Sequence, residues 1–157
     1  MIKDANNEVT RKELESIRIA GIRMRGKYSQ CGQGFGRLGR RFGRFACGKP
    51  FMLIYDDQYK ENDADFEVCM PIRKGDTIDD IQVRTLKGGA CLSTIHRGPY
   101  DKVGRAYERI FKHAQQQNVK VVGPCREIYI KGPGMIFRGN PKNYLTEVQM
   151  PIANEEV

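Results

Sequence analysis

Glu127 and Glu147 are the residues whose types and neighbours best suit chemistry. In Glu127-Ile128-Tyr129-Ile130, strand alternation sets Glu127 and Tyr129 on one face and the two isoleucines on the other. In the run from Tyr144 to Met150, alternation sets Glu147 opposite Thr146, Val148 and Met150. Both glutamates are therefore expected to turn away from the apolar face, and to be close together if their strands pair. A carboxylate beside tyrosine rings suits a lipophilic cation, because the acid supplies charge and the rings supply cation–π contact and area. The available rings are Tyr28, Tyr55, Tyr100, Tyr129 and Tyr144. The plain alternative for each glutamate is a solvated outer sheet face.

Other constellations carry less. Gly34-Phe35-Gly36-Arg37-Leu38-Gly39 matches a dinucleotide-binding pattern, but no acidic residue in the right context closes a βαβ unit, so chance in a glycine-rich stretch explains it. No cofactor is expected. The five cysteines (Cys31, Cys47, Cys69, Cys91 and Cys125) form no C-x-x-C pair, and His96 and His113 add no ligand spacing. Neither a disulfide framework nor a metal site is expected.

The elements that must hold these residues read as a near-repeat. Phe66-Glu67-Val68-Cys69-Met70-Pro71-Ile72 returns 80 positions later as Thr146-Glu147-Val148-Gln149-Met150-Pro151-Ile152. Arg25-Gly26-Lys27-Tyr28 returns after 72 positions as Arg97-Gly98-Pro99-Tyr100, and Ile54-Tyr55 after 74 as Ile128-Tyr129. Each copy reads strand, helix, strand, strand. Repeat 1 covers about 9–72, a polar linker 73–80, and repeat 2 about 81–152, within a single domain over 1–157. The fold class expected is α+β: a tandem β-α-β-β duplication forming one pseudo-two-fold antiparallel sheet, with two main helices on one face. Its seam is a natural place for a ligand cleft.

In the first copy, Glu15 to Arg25 alternates apolar and basic residues, with a bulge expected at Gly21. Phe35, Leu38, Phe42 and Phe45 fall at helical spacing, with Arg37, Arg40, Arg41 and Arg44 on the other face. Strands are expected over 51–55 and 65–72. In the second copy, strands are expected over 81–86 and 91–96, with a bend or bulge at Gly88-Gly89. Pro99 suits a helix start, and Val103, Ala106, Tyr107, Ile110, Phe111 and Ala114 form its apolar stripe. Strands over 127–131 and 144–152 follow, separated by a long Gly/Pro-rich connection over 132–143.

Bulk composition agrees. The 157 residues are 39% hydrophobic and 29% charged, which suits a globular chain rather than a disordered one. The longest strongly apolar run, Phe51 to Tyr55, is too short to span a bilayer, and the N-terminus lacks a secretory apolar region, so a cytoplasmic protein with no membrane partner is expected. The net charge of +8 comes largely from the arginine helix. It makes that helix a candidate nucleic-acid or protein contact, although its aromatic spacing is that of core residues.

Arg126-Glu127-Ile128-Tyr129, the Gly/Pro loop, Leu145-Thr146-Glu147-Val148-Gln149-Met150-Pro151-Ile152 and Arg97-Gly98-Pro99-Tyr100 together resemble the GyrI-like small-molecule-binding domains. These are the effector-binding domains of AraC-type and MerR-type transcription regulators. The resemblance implies a pocket between repeats for hydrophobic, often cationic, molecules. Carried over by position, it implies ligand contacts from Glu127, Tyr129, Tyr144 and Glu147, with Tyr100 and its repeat counterpart Tyr28 as further rings. About a dozen residues precede the first expected strand, too few for a helix-turn-helix domain, so sensing or sequestration by a stand-alone domain is expected. Its partners would be a hydrophobic small molecule and, as an alternative, a protein such as a regulator or a topoisomerase; nucleic acid is not expected as the main partner. Some stand-alone relatives resemble hydrolases of strained electrophilic genotoxins that use a glutamate with a tyrosine, which makes a Glu/Tyr hydrolase the alternative to pure binding.

Overall fold

The computed structural model describes residues 8–58, 60–131 and 140–153. Among them, eight strands and two helices run in the order β1 (Thr10–Leu14), β2 (Ile17–Gly26), α1 (Cys31–Phe42), β3 (Phe51–Ile54), β4 (Ala64–Pro71), β5 (Gln82–Leu86), β6 (Gly89–Arg97), α2 (Gly104–Gln117), β7 (Cys125–Lys131) and β8 (Leu145–Pro151). The fold is α+β with antiparallel pairing. The chain divides into two compact units: Glu15–Gly88, and the segment up to Leu14 together with Gly89 onwards.

The Glu15–Gly88 unit orders its strands β3-β4-β2-β5. α1 lies against β2 and β4. Its buried residues Gly34, Leu38 and Phe42 follow helical spacing. Gly34 is required by packing: a Cβ there would lie 2.5 Å from Val68 Cγ2 and 2.8 Å from Met24 Sδ. Phe45 falls beyond the helix, in a 3-10 turn over Gly43–Phe45. No bulge occurs at Gly21, because the β2–β4 register runs unbroken from Ile19 opposite Pro71 to Gly26 opposite Ala64. The glycine instead makes room for a side chain, since a Cβ would run into the Glu67 carboxylate.

The second unit orders its strands β1-β6-β8-β7, with α2 against β6 and β8. Its core is Ala90, Leu92, Ala106, Ile110, Ala114, Val148, Met150 and Ile152. Ile110 is fully buried, which by itself contributes about 2 kcal/mol of transfer free energy. The expected stripe of α2 holds except at Phe111, which is 46% exposed. A 3-10 turn over Tyr100–Lys102 precedes α2, and Asn118 closes it in the left-handed conformation (φ 54°). The connection expected over 132–143 lies largely outside the described residues; its last part, Pro141–Asn143, is a 3-10 turn.

Strand β1 was not expected. Its sequence, Thr-Arg-Lys-Glu-Leu, has no apolar alternation, and four of its five residues are exposed. It sits at the outer edge of the order, where charged residues guard an open strand against further pairing. Gly88-Gly89 is the point where the chain passes from one unit to the other: β5 pairs with β2, whereas β6 pairs with β1 and β8.

Candidate functional site

Three buried glutamates define the chemistry, and register decides what each one meets. Glu127 stands opposite Val148, and Tyr129 opposite Thr146. Directly paired residues share a sheet face, so Glu127 and Tyr129 lie on the face that α2 covers. Glu147 stands opposite Ile128 and Ile95, on the other face. The two glutamates are therefore not neighbours on one surface, and Glu127 does not turn from the apolar side. The isoleucines that suggested otherwise face the same way as Glu147.

Glu127 is 9% exposed. Its Oε2 accepts a 2.6 Å hydrogen bond from Tyr107 Oη of α2, and Tyr129 also donates to it. Burial pushes the Glu127 carboxyl above the usual range, while the two tyrosine hydrogen bonds oppose that rise. Burial pushes the Tyr107 hydroxyl well up as well, and the Glu127 charge adds to it. Tyr129 then leads to two more rings. Tyr100 lies 5.5 Å from Tyr129 edge-on and 5.2 Å from Tyr144, centroid to centroid. Thr146, opposite Tyr129 and fully buried, carries a hydroxyl with no hydrogen-bond partner among the described residues. One carboxyl, four tyrosines and an unmet hydroxyl are thus assembled from α2, β7, β8 and the turns before α2 and β8. Four of the chain's seven tyrosines are here, and the chain has no tryptophan.

The other two glutamates each hold a cation from the chain itself. Glu147 Oε2 takes Lys12 Nζ at 2.8 Å, Ser93 Oγ at 2.6 Å and Gln149 Nε2 at 2.9 Å. Burial raises its carboxyl, but these hydrogen bonds outweigh it, and the net displacement is downward. Glu67, 3% exposed, takes both terminal nitrogens of Arg84 at 2.5 and 2.6 Å and Tyr55 Oη at 2.7 Å. Arg23 lies 3.6 Å above the Tyr55 ring. Burial and the Glu67 hydrogen bond push the Tyr55 hydroxyl up, and the Glu67 hydrogen bond raises Arg84. Among the described residues, Glu127 makes no ion pair.

Tyr28 belongs to the first unit, where its ring packs 5.4 Å from Phe66. Tyr55 and Tyr129 do not occupy matching places. Ile54 stands opposite Phe66 as Tyr129 stands opposite Thr146, so the correspondence is one residue out from that of the sequence motif. A one-residue slip reverses the face of a strand side chain, which is why Tyr55 reaches Glu67 while Tyr129 reaches Glu127. In the sequence Tyr107 falls on the apolar stripe of α2, and its signal there is being the one hydroxyl on that stripe. Lys12 and Arg84 left no local signal, as they lie 135 and 17 residues from their glutamates.

The arginine helix is partly neutralised: Arg37 pairs with Asp80, and Arg41 approaches Asp79 at 3.4 Å. Cys91 is fully buried, and burial together with the Glu147 charge pushes its thiol up to about 11. Among the described residues, no group of three or more His, Cys, Asp or Glu is placed to hold a metal ion. Nor is any helix among them long and apolar enough to cross a membrane.

The chain is thus an α+β domain with a buried acid among tyrosines. The chain belongs to the GyrI-like small molecule binding domain family, whose model matches residues 7–153. Its fold is similar to the EcmrR C-terminal domain (TM-score 0.81, 21% identity, 94% of this chain and 98% of that one). It is likewise similar to EcmrR in a DNA complex (TM-score 0.83, 21% identity, 94% of this chain), where it spans 58% of that chain. A hydrolase from Listeria innocua has a TM-score of 0.69 at 10% identity over 94% of this chain and 93% of that one. SAV2435 bound to tetraphenylphosphonium has a TM-score of 0.59 at 17% identity over 94% of each chain. Among curated proteins, none matches this sequence.

Proposed function

We propose that this domain binds a hydrophobic, cationic small molecule at Glu127, with Tyr100, Tyr129 and Tyr144 as its aromatic wall, and serves in sensing or sequestration. The observation that carries the reading is the contrast among the three glutamates. Glu67 and Glu147 are each neutralised by a cation of the chain, whereas Glu127 is buried among phenol groups. A buried carboxylate without a counter-charge is costly, and a ligand cation relieves that cost. Delocalised charge on an apolar body favours such a ligand, because it sheds water easily and gains cation–π contact. SAV2435, similar in fold, is described bound to tetraphenylphosphonium, a cation of this kind.

Titration with tetraphenylphosphonium, followed by tyrosine fluorescence, tests the reading. Glu127→Gln is expected to weaken binding by at least about thirtyfold, the lower end for losing a buried charge partner. Glu147→Gln is expected to leave affinity within about threefold. Equal affinity in the wild type and Glu127→Gln would refute the reading.

A second reading uses the same residues catalytically. A carboxyl raised by burial and hydrogen-bonded by two tyrosines is placed to give or take a proton, and a hydrolase shares the fold. On strained electrophilic substrates this reading expects turnover that Glu127→Gln abolishes while binding of the neutral compound survives.

A further inference from the structure

The Glu15–Gly88 unit carries a second ligand-sized feature, of opposite charge. After α1, Phe45 is half-buried and gathers three cations: Arg44 Cζ at 4.9 Å, Lys74 Nζ at 5.1 Å and Arg73 Cζ at 5.8 Å from its ring centroid. Beside it opens a cavity of about 360 Å³, with Phe42, Phe45 and Ile78 as its apolar lining and Arg41, Arg44 and Asp76 as its charged one. That volume falls within the range of small-molecule sites. Ile78 is 39% exposed, unusual for a large aliphatic side chain among the described residues.

The cavity's loop is held in place. Arg18 Nη2 donates to Gly75 O at 2.7 Å, and Arg73 Nη2 donates to Arg44 O at 2.8 Å. Thr77 Oγ1 accepts from Val83 N at 3.0 Å, and Ile78 bridges to Ile81. Gly75 has φ +139° and lies so close that a Cβ would be 2.7 Å from the Phe42 ring. A site fixed in this way loses little freedom on binding.

Charge decides the ligand class. Arg41 is engaged with Asp79, and Arg73 is engaged with the Arg44 carbonyl. Arg44 and Lys74 make no ion pair among the described residues. A cation near the end of a helix is favoured by the helix dipole, which accounts for Arg44 but not for Lys74 or for the apolar lining. Asp76 opposes a highly charged ligand.

We infer that this cavity binds a hydrophobic organic anion, such as an aromatic carboxylate or sulfonate, with its ring on Phe45 and Ile78 and its charge at Arg44, while Lys74, beside Phe45, adds to the positive field. The site is independent of Glu127.

The test uses two probes with the same ring: 1-naphthalenesulfonate and 1-naphthylmethylammonium, titrated calorimetrically into the full chain. The sulfonate is expected to bind one-to-one. Arg44→Ala with Lys74→Ala should weaken it by about tenfold, as expected for lost charge-assisted contacts. Glu127→Gln should leave it unchanged, and the methyl resonance of Ile78 should shift on titration. Both substituted residues are at the surface, and an unaltered unfolding midpoint checks that the variant is folded. The inference is overturned if the double variant binds the sulfonate as the wild type does, or if Glu127→Gln abolishes binding. It is also overturned if the ammonium probe shifts Ile78 equally, or if a short single-stranded oligonucleotide displaces the sulfonate with an affinity that collapses in salt.

Discussion

Replacing Arg84 with methionine removes the cation that makes Glu67 tolerable in the Glu15–Gly88 unit. The guanidinium makes two charge-assisted hydrogen bonds, at 2.5 and 2.6 Å, to a carboxylate that is 4% exposed. Each such bond contributes about 1.5–3 kcal/mol, and breaking a buried pair costs about 3–5 kcal/mol. Two facts reduce the figure. The Arg84 side chain is 33% exposed, so water enters where it leaves, and Tyr55 keeps its 2.7 Å bond to Glu67. The expected loss is therefore about 2–3 kcal/mol. For a chain of this size it lowers the melting temperature by about 5–10 °C. Urea unfolding followed by far-ultraviolet circular dichroism measures it. The same pair replaced together, Glu67→Leu with Arg84→Leu, is expected to come within about 1 kcal/mol of the wild type, because apolar replacement removes the desolvation cost as well. A loss under about 0.5 kcal/mol in Arg84→Met, or a double variant no better than the single one, would refute the reasoning.

Further consequences can be measured in the same way. Burial raises the Glu127 carboxyl above its unfolded value of 4.5, so folding favours its protonated form. That contribution is fully present below 4.5 and is lost as pH rises through the higher folded value. Glu127→Gln should therefore gain stability relative to the wild type as pH is raised from 4 to 8, and a gap independent of pH would contradict the cause assigned. Tyr107→Phe should cost about 1–3 kcal/mol, since it leaves a buried acid short of a donor, and should raise the Glu127 carboxyl further. Lys12→Met should cost only about 0.5–1 kcal/mol at neutral pH, because Lys12 is 47% exposed. The Glu147 carboxyl is displaced downward, so its contribution is present above 4.5 and lost as pH falls through the lower folded value; in Lys12→Met that acid sensitivity should shrink. Gly21→Ala should destabilise by about 1–3 kcal/mol through overpacking against Glu67, measured by the shift in the urea midpoint.

Legibility in the sequence followed the range over which each signal acts. The apolar alternation of β2 and β4 and the stripe of α2 are local and were readable, and strand alternation also put Glu127 and Tyr129 on one face. Strand β1 was not, because an edge strand of charged residues carries no apolar period. Gly21 reads as a bulge when only the strand is in view; its cause is the carboxylate of a different strand. The face of Glu127 depends on the register between β7 and β8, and a one-residue difference reverses it. The correspondence of Ile54-Tyr55 with Ile128-Tyr129 failed for that reason. Lys12 and Arg84 could not be assigned to Glu147 and Glu67, since no periodicity links residues brought together by folding alone. Yet those two cations are what single out Glu127 among the three glutamates.

The most direct measurement of the central claim is a crystal structure of the chain with tetraphenylphosphonium bound. The account predicts the cation against the Glu127 carboxylate, within about 6 Å of the centroid of at least one of the Tyr100, Tyr129 and Tyr144 rings. A cation seated on Glu147 or Glu67 in place of Lys12 or Arg84, or one away from every buried carboxylate, would contradict it.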